Sequence, residues 1–308
     1  MIVVAGESLI DRAVRRDGSV RETPGGGPYN LARALGRLGA PVAFLGRLSS
    51  DAFGEILQAG LVADRVDLGL TTVTDDPTLL AFVELAADGS ATYRFEAAGS
   101  AAVGLVPGDL PADLPPGTTA LHVGTLGLVF EPMASTIEGL VSRVASDVLV
   151  VADPNCRPAA ITDPAAYRAR LERILRRVDL VKVSADDLAW LEPDRAPEEA
   201  ARRLLEHGPA VVLVTDGPRP VRIVTVRETL AVEVPAVAVV DTIGAGDAFG
   251  AGFLAAWTGA GRGRDDLGDD AALAAATRFA IEVGARTTNR TGADSPTLAE
   301  LEGVAGLW

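Results

Sequence analysis

Apolar residues come in short unbroken runs along this chain, with the polar residues gathered between them. IVVAG at 2–6 is one such run, closed by glycine, and the same signal returns at 41–46, 119–124, 148–154, 178–184 and 210–217. A run that is apolar at every position marks a strand buried on both faces. Between the runs the apolar spacing changes to three and four, predicting helices over 29–38, 51–62, 131–145, 164–176 and 196–206. Strands alternating with helices through short Gly or Asp turns predict an α/β fold in three layers, a mostly parallel sheet between two layers of helix.

Two stretches break this pattern. Residues 9–23 alternate loosely around Asp17-Gly18, and 71–97 do so around Asp88-Gly89, both hairpin signals. Alternation of polar and apolar residues predicts a half-exposed antiparallel sheet. We expect the two stretches, about 10–23 and 70–97, to form one small β lid on a single domain spanning 1–308. A lid can exclude water from chemistry, and its exposed face could pair with a second subunit as a homodimer.

Composition narrows the function. Phe, Trp and Tyr make up 5% of the residues, so Val, Leu, Ile and Ala must build the core. A formal charge of −14 gives no positive field for nucleic acid. The single cysteine, Cys156, excludes an internal disulfide framework and reads as buried packing. Two histidines, His122 and His207, leave little room for His-rich metal sites, and His207 before Gly208-Pro209 reads as a helix end. No apolar run approaches the roughly 20 residues of a membrane span. Residues 1–6 are apolar but too short for a signal peptide, so the expected location is the cytoplasm.

One stretch, DTIGAGDAFGAGF at 241–253, poses a question of charge. An extended segment over 234–242 passes through Gly244-Ala245-Gly246 into a helix over 248–257, which leaves free backbone N–H groups at a helix N-terminus. Such a turn suits an anion, yet Asp247 stands inside it. A structural reading makes Asp247 a helix cap. A dinucleotide reading takes Gly244, Gly246 and Gly250 as a variant glycine fingerprint, although Asp265 and Asp266 do not follow a second strand as that fold requires. A third reading uses both features: the amides hold a transferring phosphoryl group while Asp247 faces the attacking hydroxyl and takes its proton.

This stretch resembles the C-terminal signature of the ribokinase-like, or PfkB, carbohydrate kinases, D-T-x-G-A-G-D-x-F. Residues 24–54 are similar to the N-terminal signature, with Gly25, Gly26 and Asn30 as G-G-x-x-x-N and Asp51-Ala52-Phe53-Gly54 as its close. The resemblance covers essentially the whole chain and implies a ribokinase-like fold and an ATP- and Mg²⁺-dependent transfer to a sugar hydroxyl. Asp247 would be the base, with Gly244, Ala245 and Gly246 as the anion hole. Asp11, Gly25, Gly26 and Asn30 would bind the sugar, and Asn30 offers a polyol both donor and acceptor.

Asp153, Asn155 and Arg157 resemble the D-x-N-x-R of fructokinases and 2-keto-3-deoxygluconate kinases, and Arg157 would bridge substrate and phosphate. Lys182, the only lysine among 28 basic residues, stands in KVSADD, similar to the K-x-S-x-x-E of fructokinase-like members. It would approach the nucleotide phosphates together with Ser184, Thr215 and Gly217. Asp187 stands where the family has glutamate and would reach Mg²⁺ through water. Asn289 would face the base or ribose. Loops at Asp241, Ile243 and Gly292 would supply the oxygen cage of a K⁺ ion.

The motifs incline toward fructose. In the lid, Phe95 is the candidate substrate contact, and Phe95-Glu96 replace an aromatic and basic pattern. Arg94 could still offer charge to an acidic sugar. Alternatives are 2-keto-3-deoxygluconate kinase and ribokinase, and outside catalysis a sugar-binding regulator; the lid has few aromatics for a nucleoside.

Overall fold

Ile2, Val3, Val4 and Ala5 are all buried, and they form β1 (Ile2–Ala5), paired on both sides within the main sheet. In the computed structural model, which describes residues 1–14, 19–85 and 91–301, the chain continues through a first set of elements. These are β2 (Leu9–Val14), β3 (Val20–Gly25), α1 (Gly27–Arg37), β4 (Val42–Ser49), α2 (Ala52–Ala63), β5 (Thr71–Thr74), β6 (Leu80–Leu85) and β7 (Ala91–Glu96). Next come β8 (Ala120–Gly124), α3 (Met133–Arg143), β9 (Leu149–Asp153), α4 (Pro164–Leu175), β10 (Leu180–Ser184), α5 (Ala185–Leu191) and α6 (Pro197–Leu205). The last are β11 (Val211–Asp216), β12 (Arg219–Thr225), β13 (Thr229–Val232), α7 (Ala245–Gly259) and α8 (Asp270–Thr288).

The described strands form a nine-stranded sheet in the order β13-β12-β11-β10-β9-β8-β1-β4-β5. It is parallel except where β12 and β13 fold back against β11. Successive residues of β1 serve opposite layers. Ile2 and Val4 join the apolar cluster of α1, α2, α7 and α8, while Val3 and Ala5 join that of α3, α4, α5 and α6. The three-layer expectation is met. No helix among the described residues is long and apolar enough to cross a membrane.

The two hairpin stretches meet as a separate sheet in the order β3-β2-β6-β7. Its hairpin pairs β2–β3 and β6–β7 are antiparallel, but the join between them, β2–β6, is parallel. The turn residues Asp17-Gly18 and Asp88-Gly89 lie outside the described residues. Thr71–Thr74, assigned to the lid from sequence, instead lengthens the main sheet beside β4, where Thr71 Oγ1 donates to the Phe44 carbonyl at 2.9 Å. Residues 234–242 were predicted extended and form no strand. Val239 and Val240 are exposed there, and the amides of Val240 and Asp241 donate to the Thr288 carbonyl instead. The β12–β13 hairpin and helices α5 and α8 were not predicted.

One side chain ties lid to sheet. Asp51 caps α2 by accepting from the Gly54 amide at 2.8 Å. The same carboxylate accepts from the Thr78 amide at 2.8 Å and the Thr78 hydroxyl at 2.6 Å, just ahead of β6. Burial opposes its charge, but these hydrogen bonds prevail and hold its pKa below the ordinary 3.8. A depressed carboxyl pKa stabilises the fold above the unfolded value, and the contribution is lost as pH falls through the folded one. Asp51→Ala should therefore lower stability by about 1–2 kcal/mol in urea unfolding at neutral pH. The gap to wild type should shrink below about pH 4, near the unfolded carboxyl pKa.

Candidate functional site

Five strands of the main sheet end at one place. Glu7 follows β1, Thr125 follows β8, Asn155 follows β9, and Ser184 and Thr215 lie side by side at the ends of β10 and β11. In open α/β sheets ligands bind beyond the carboxyl ends of strands. Over this edge, beneath the lid, lies a cavity of about 440 Å³. Its wall includes Asp11, Gly25, Gly26, Asn30, Phe95, Asn155, Arg157, Asp241, Ile243, Gly244, Gly246, Asp247 and Gly292, all singled out from sequence.

The lid delivers Asp11 from β2, with Ala13, Arg21 and Thr23 on the same face of the β2–β3 hairpin. A Cβ on Gly25 would collide with the Asp11 carboxylate, so a side chain there would displace Asp11. Burial raises Asp11 to about 6, with Asp247 adding to the shift and Arg157 opposing it. Phe95 on β7 packs edge-on against Phe130, ring centres 6.2 Å apart. Its neighbour Arg94 is exposed, lies over the Phe82 ring and pairs with Glu96.

Two helix N-termini converge on the cavity. Gly26 caps α1, which brings Asn30 round within its first turn. Gly244 caps α7 in the left-handed region, at φ +75°, a conformation that favours glycine. The Ala245 amide is already used, donating to the Thr242 carbonyl at 3.2 Å. The amides of Gly246 and Asp247 lie in the first turn of α7, which provides no helical carbonyl for them, so they are left for the anion that the glycine turn suggested from sequence. Asp247 is buried, and its Oδ2 accepts from Asn30 Nδ2 at 2.9 Å. Burial raises its pKa; the Asn30 hydrogen bond, Lys182 and Arg157 pull the other way.

Asp153 and Lys182 stand on the same sheet face as α7, for each lies two residues beyond a strand residue of that apolar cluster, Val151 and Leu180. They form a buried ion pair at 2.8 Å. Lys182 does not line the cavity. It lies beneath the α7 turn, where a Cβ on Gly246 would stand 2.8 Å from its Nζ. Burial works against the ammonium, but Asp153 prevails and holds its pKa above the ordinary value. The single lysine is thus a fixed positive charge under the anion turn.

Arg157 Nη1 donates to the Asn155 side chain at 2.7 Å and to the Asn155 carbonyl at 3.0 Å. Asn155 in turn donates to Thr125 Oγ1 at 3.3 Å. Both Thr125 (φ +49°) and Asn155 (φ +39°) have left-handed backbones, which is strained for a β-branched residue. Asp187 is drawn into the protein: one oxygen accepts from the Cys156 amide at 2.6 Å, the other from the Ser184 amide at 2.9 Å, capping α5. Cys156 is buried, and burial pushes its thiol up to about 12, so it is no nucleophile. Asp241 bridges two loops, accepting from the amides of Ile243 at 3.0 Å and Gly292 at 2.8 Å. Thr215, Gly217 and Asn289 lie outside the cavity wall, and Asn289 ends α8.

Wall residues with polar side chains that were not foreseen include Glu7, Arg21, Thr23 and Thr125. Arg21 was recoverable, because it shares the alternation of Asp11 across the hairpin. Nothing in the sequence distinguishes the buried Glu7 from other acids. Among the described residues no group of three or more His, Cys, Asp or Glu could hold a metal ion. A divalent ion here would need phosphate oxygens and water as ligands, which suits magnesium, an ion that keeps much of its water.

A sequence profile of the pfkB family of carbohydrate kinases matches residues 1–300. A fructokinase of Rhizobium leguminosarum bv. trifolii is 39% identical over 260 residues, covering 83% of this chain and 79% of that protein. A fructokinase structure from Vibrio cholerae O395 with fructose, ADP and calcium ion superposes with a TM-score of 0.88 at 28% identity, covering 98% of each chain. A fructokinase structure from Xylella fastidiosa with bound ATP gives 0.89 at 28% identity, over 99% of this chain and 97% of that one.

Removing one partner of a buried ion pair leaves an uncompensated charge. Lys182→Met should cost about 3–5 kcal/mol in urea unfolding at pH 8. Adding Asp153→Asn to it should recover part of that loss, so the double variant would be more stable than Lys182→Met alone.

Proposed function

The chain belongs to the pfkB family of carbohydrate kinases, and from that premise we propose that it is a fructokinase, transferring the γ-phosphoryl group of ATP to a hydroxyl of D-fructose. The observation that carries the chemistry is the buried Asp247, held by Asn30 in the wall of the cavity and at the end of α7 where phosphate would lie. The dinucleotide reading of the glycines is set aside.

Asp11 and Asn30 hold the sugar, and the lid with Phe95 excludes water. A sugar oxygen attacks the γ-phosphorus as the bond to the β-phosphate oxygen breaks and ADP leaves. Asp247 takes the hydroxyl proton, so the nucleophile need not exist as a free alkoxide. The amides of Gly246 and Asp247 and the fixed charge of Lys182 meet the negative charge that develops on the transferred group, and Arg157 approaches it from the sugar side. Mg²⁺, carried on the nucleotide phosphates, would neutralise their charge; Asp187, whose oxygens are taken by the amides of Cys156 and Ser184, would reach it only through water. Ser184, Thr215 and Gly217 follow the phosphates and Asn289 the nucleoside. The loops joined by Asp241 offer main-chain carbonyls to K⁺.

Fructose is favoured by the motifs shared with fructokinases and by those relatives. Arg94, the lid residue offered from sequence for an acidic sugar, is turned onto Phe82 and Glu96, while Arg21 is the lid's basic side chain in the cavity wall. The same proposal includes a homodimer through the lid, in which β3 and β7 stand at the edges of the sheet. Sedimentation equilibrium checks it, and a single 31.7 kDa species would contradict it.

ADP release from MgATP over D-fructose, D-ribose and 2-keto-3-deoxygluconate should be fastest with fructose. Asp247→Asn should lower kcat by about 10²–10⁴-fold with bound sugar retained. Because Asp11 titrates near 6 and Asp247 above its ordinary 3.8, kcat/KM should climb as pH rises through 6. A flat profile from pH 5 to 8 would contradict these assignments.

A further inference from the structure

Glu7 has no role in the chemistry described so far, yet it is fully buried and lines the sugar cavity. Its Oε2 is anchored, accepting from the Gly127 amide at 3.0 Å. Its Oε1 is buried with no hydrogen-bond partner. One neighbour in the same wall repeats the arrangement: Asn30 is anchored through Nδ2 on Asp247, and its Oδ1 is likewise buried and unpartnered. Buried acceptors are rarely left unpaired, and anchoring one atom of each group fixes where the other stands. Two fixed acceptors in one wall call for donors from the occupant. A polyol supplies O–H donors at neighbouring carbons.

We propose that Glu7 is a further sugar-recognition residue, its Oε1 accepting a hydroxyl hydrogen of the bound polyol beside Asn30. The inference rests on the fructokinase reading and adds a reason for it. Glu7, Asp11, Asp241 and Asp247 put four carboxyl groups around one cavity, against the guanidinium groups of Arg21 and Arg157, and carboxyl oxygens are acceptors for the hydroxyls of a polyol. Burial raises Glu7 to about 7, against the pull of nearby main-chain amides such as that of Gly127, with the Asp247 charge adding least, and a hydroxyl donor arriving with substrate favours its carboxylate form.

The test is titration of D-fructose into the full-length protein without nucleotide, together with steady-state kinetics, for wild type and Glu7→Gln. The amide can still accept from Gly127 but puts a donor where Oε1 stood. Fructose Kd and KM should rise about ten-fold or more, with kcat nearly unchanged and the melting temperature held. Among deoxy analogues of fructose lacking one hydroxyl each, one should bind wild type and Glu7→Gln alike. Should Glu7→Gln fail to fold, Glu7→Asp withdraws the oxygen by one methylene, keeps the charge, and should show the same rise in KM.

Equal fructose binding by wild type and Glu7→Gln would overturn the inference and make Glu7 a buried neutral acid. A loss of the same size with every analogue would overturn it too. A wild type that binds no fructose would overturn the fructokinase reading and this inference together, so the two failures are distinguishable.

Discussion

Asn30 and Asp247 stand 217 residues apart in the chain, and the 2.9 Å hydrogen bond between them joins the first turn of α1 to the first turn of α7. Both helices lie on the same side of the sheet and share one apolar cluster, so the packing that builds the core also sets the distance between these side chains. Gly26 and Gly244 fix where each helix begins. A shift of either start would move Asn30 or Asp247 away from the cavity. A hydrogen bond between side chains is worth little in water, but here it holds a buried carboxylate in one orientation, with its remaining lone pairs free for a hydroxyl.

Charge is distributed around that bond in a definite way. Asp247 and Asp11 are raised by burial, and Asp153 is raised to about 6 even with Lys182 beside it. A base must hold its proton well enough to take one from an alcohol, and desolvation supplies that tendency. Lys182 and Arg157 limit the shift, so the carboxylates remain available as anions. The proposed reaction gives the carboxylate among the glycines of the α7 turn a physical account: backbone amides would receive the phosphoryl group, and the acid the proton of the group that attacks it. His122, buried on the same side of the sheet, is pushed down to about 3, so it stays neutral and adds no competing charge.

The sequence made the main architecture legible because fully buried strands and one-sided helices carry different apolar periods. Hairpin signals likewise separated the lid from the sheet. Thr71–Thr74 was assigned to the lid because an edge strand of the main sheet has one wet face and so alternates as a lid strand does. The β12–β13 hairpin was missed because charged Arg219 and Arg222 interrupt its apolar pattern. At the site, residues inside the two signatures were legible as types in a spacing, and most of them line one cavity. Lys182 was legible as an oddity of composition, but only the fold puts it beneath Gly246 and in an ion pair with Asp153. Glu7 and Thr125 were not legible, since burial of an acid and a left-handed threonine follow from tertiary packing.

The measurement closest to the central claim is a crystal structure with D-fructose, ADP, Mg²⁺ and aluminium fluoride as the mimic of the transferring phosphoryl group. The account predicts that one fructose hydroxyl lies in line with the aluminium and within hydrogen-bond distance of Asp247, with fluorides on the amides of Gly246 and Asp247. A hydroxyl in line with the aluminium but facing a residue other than Asp247, or fluorides away from the α7 turn, would contradict it.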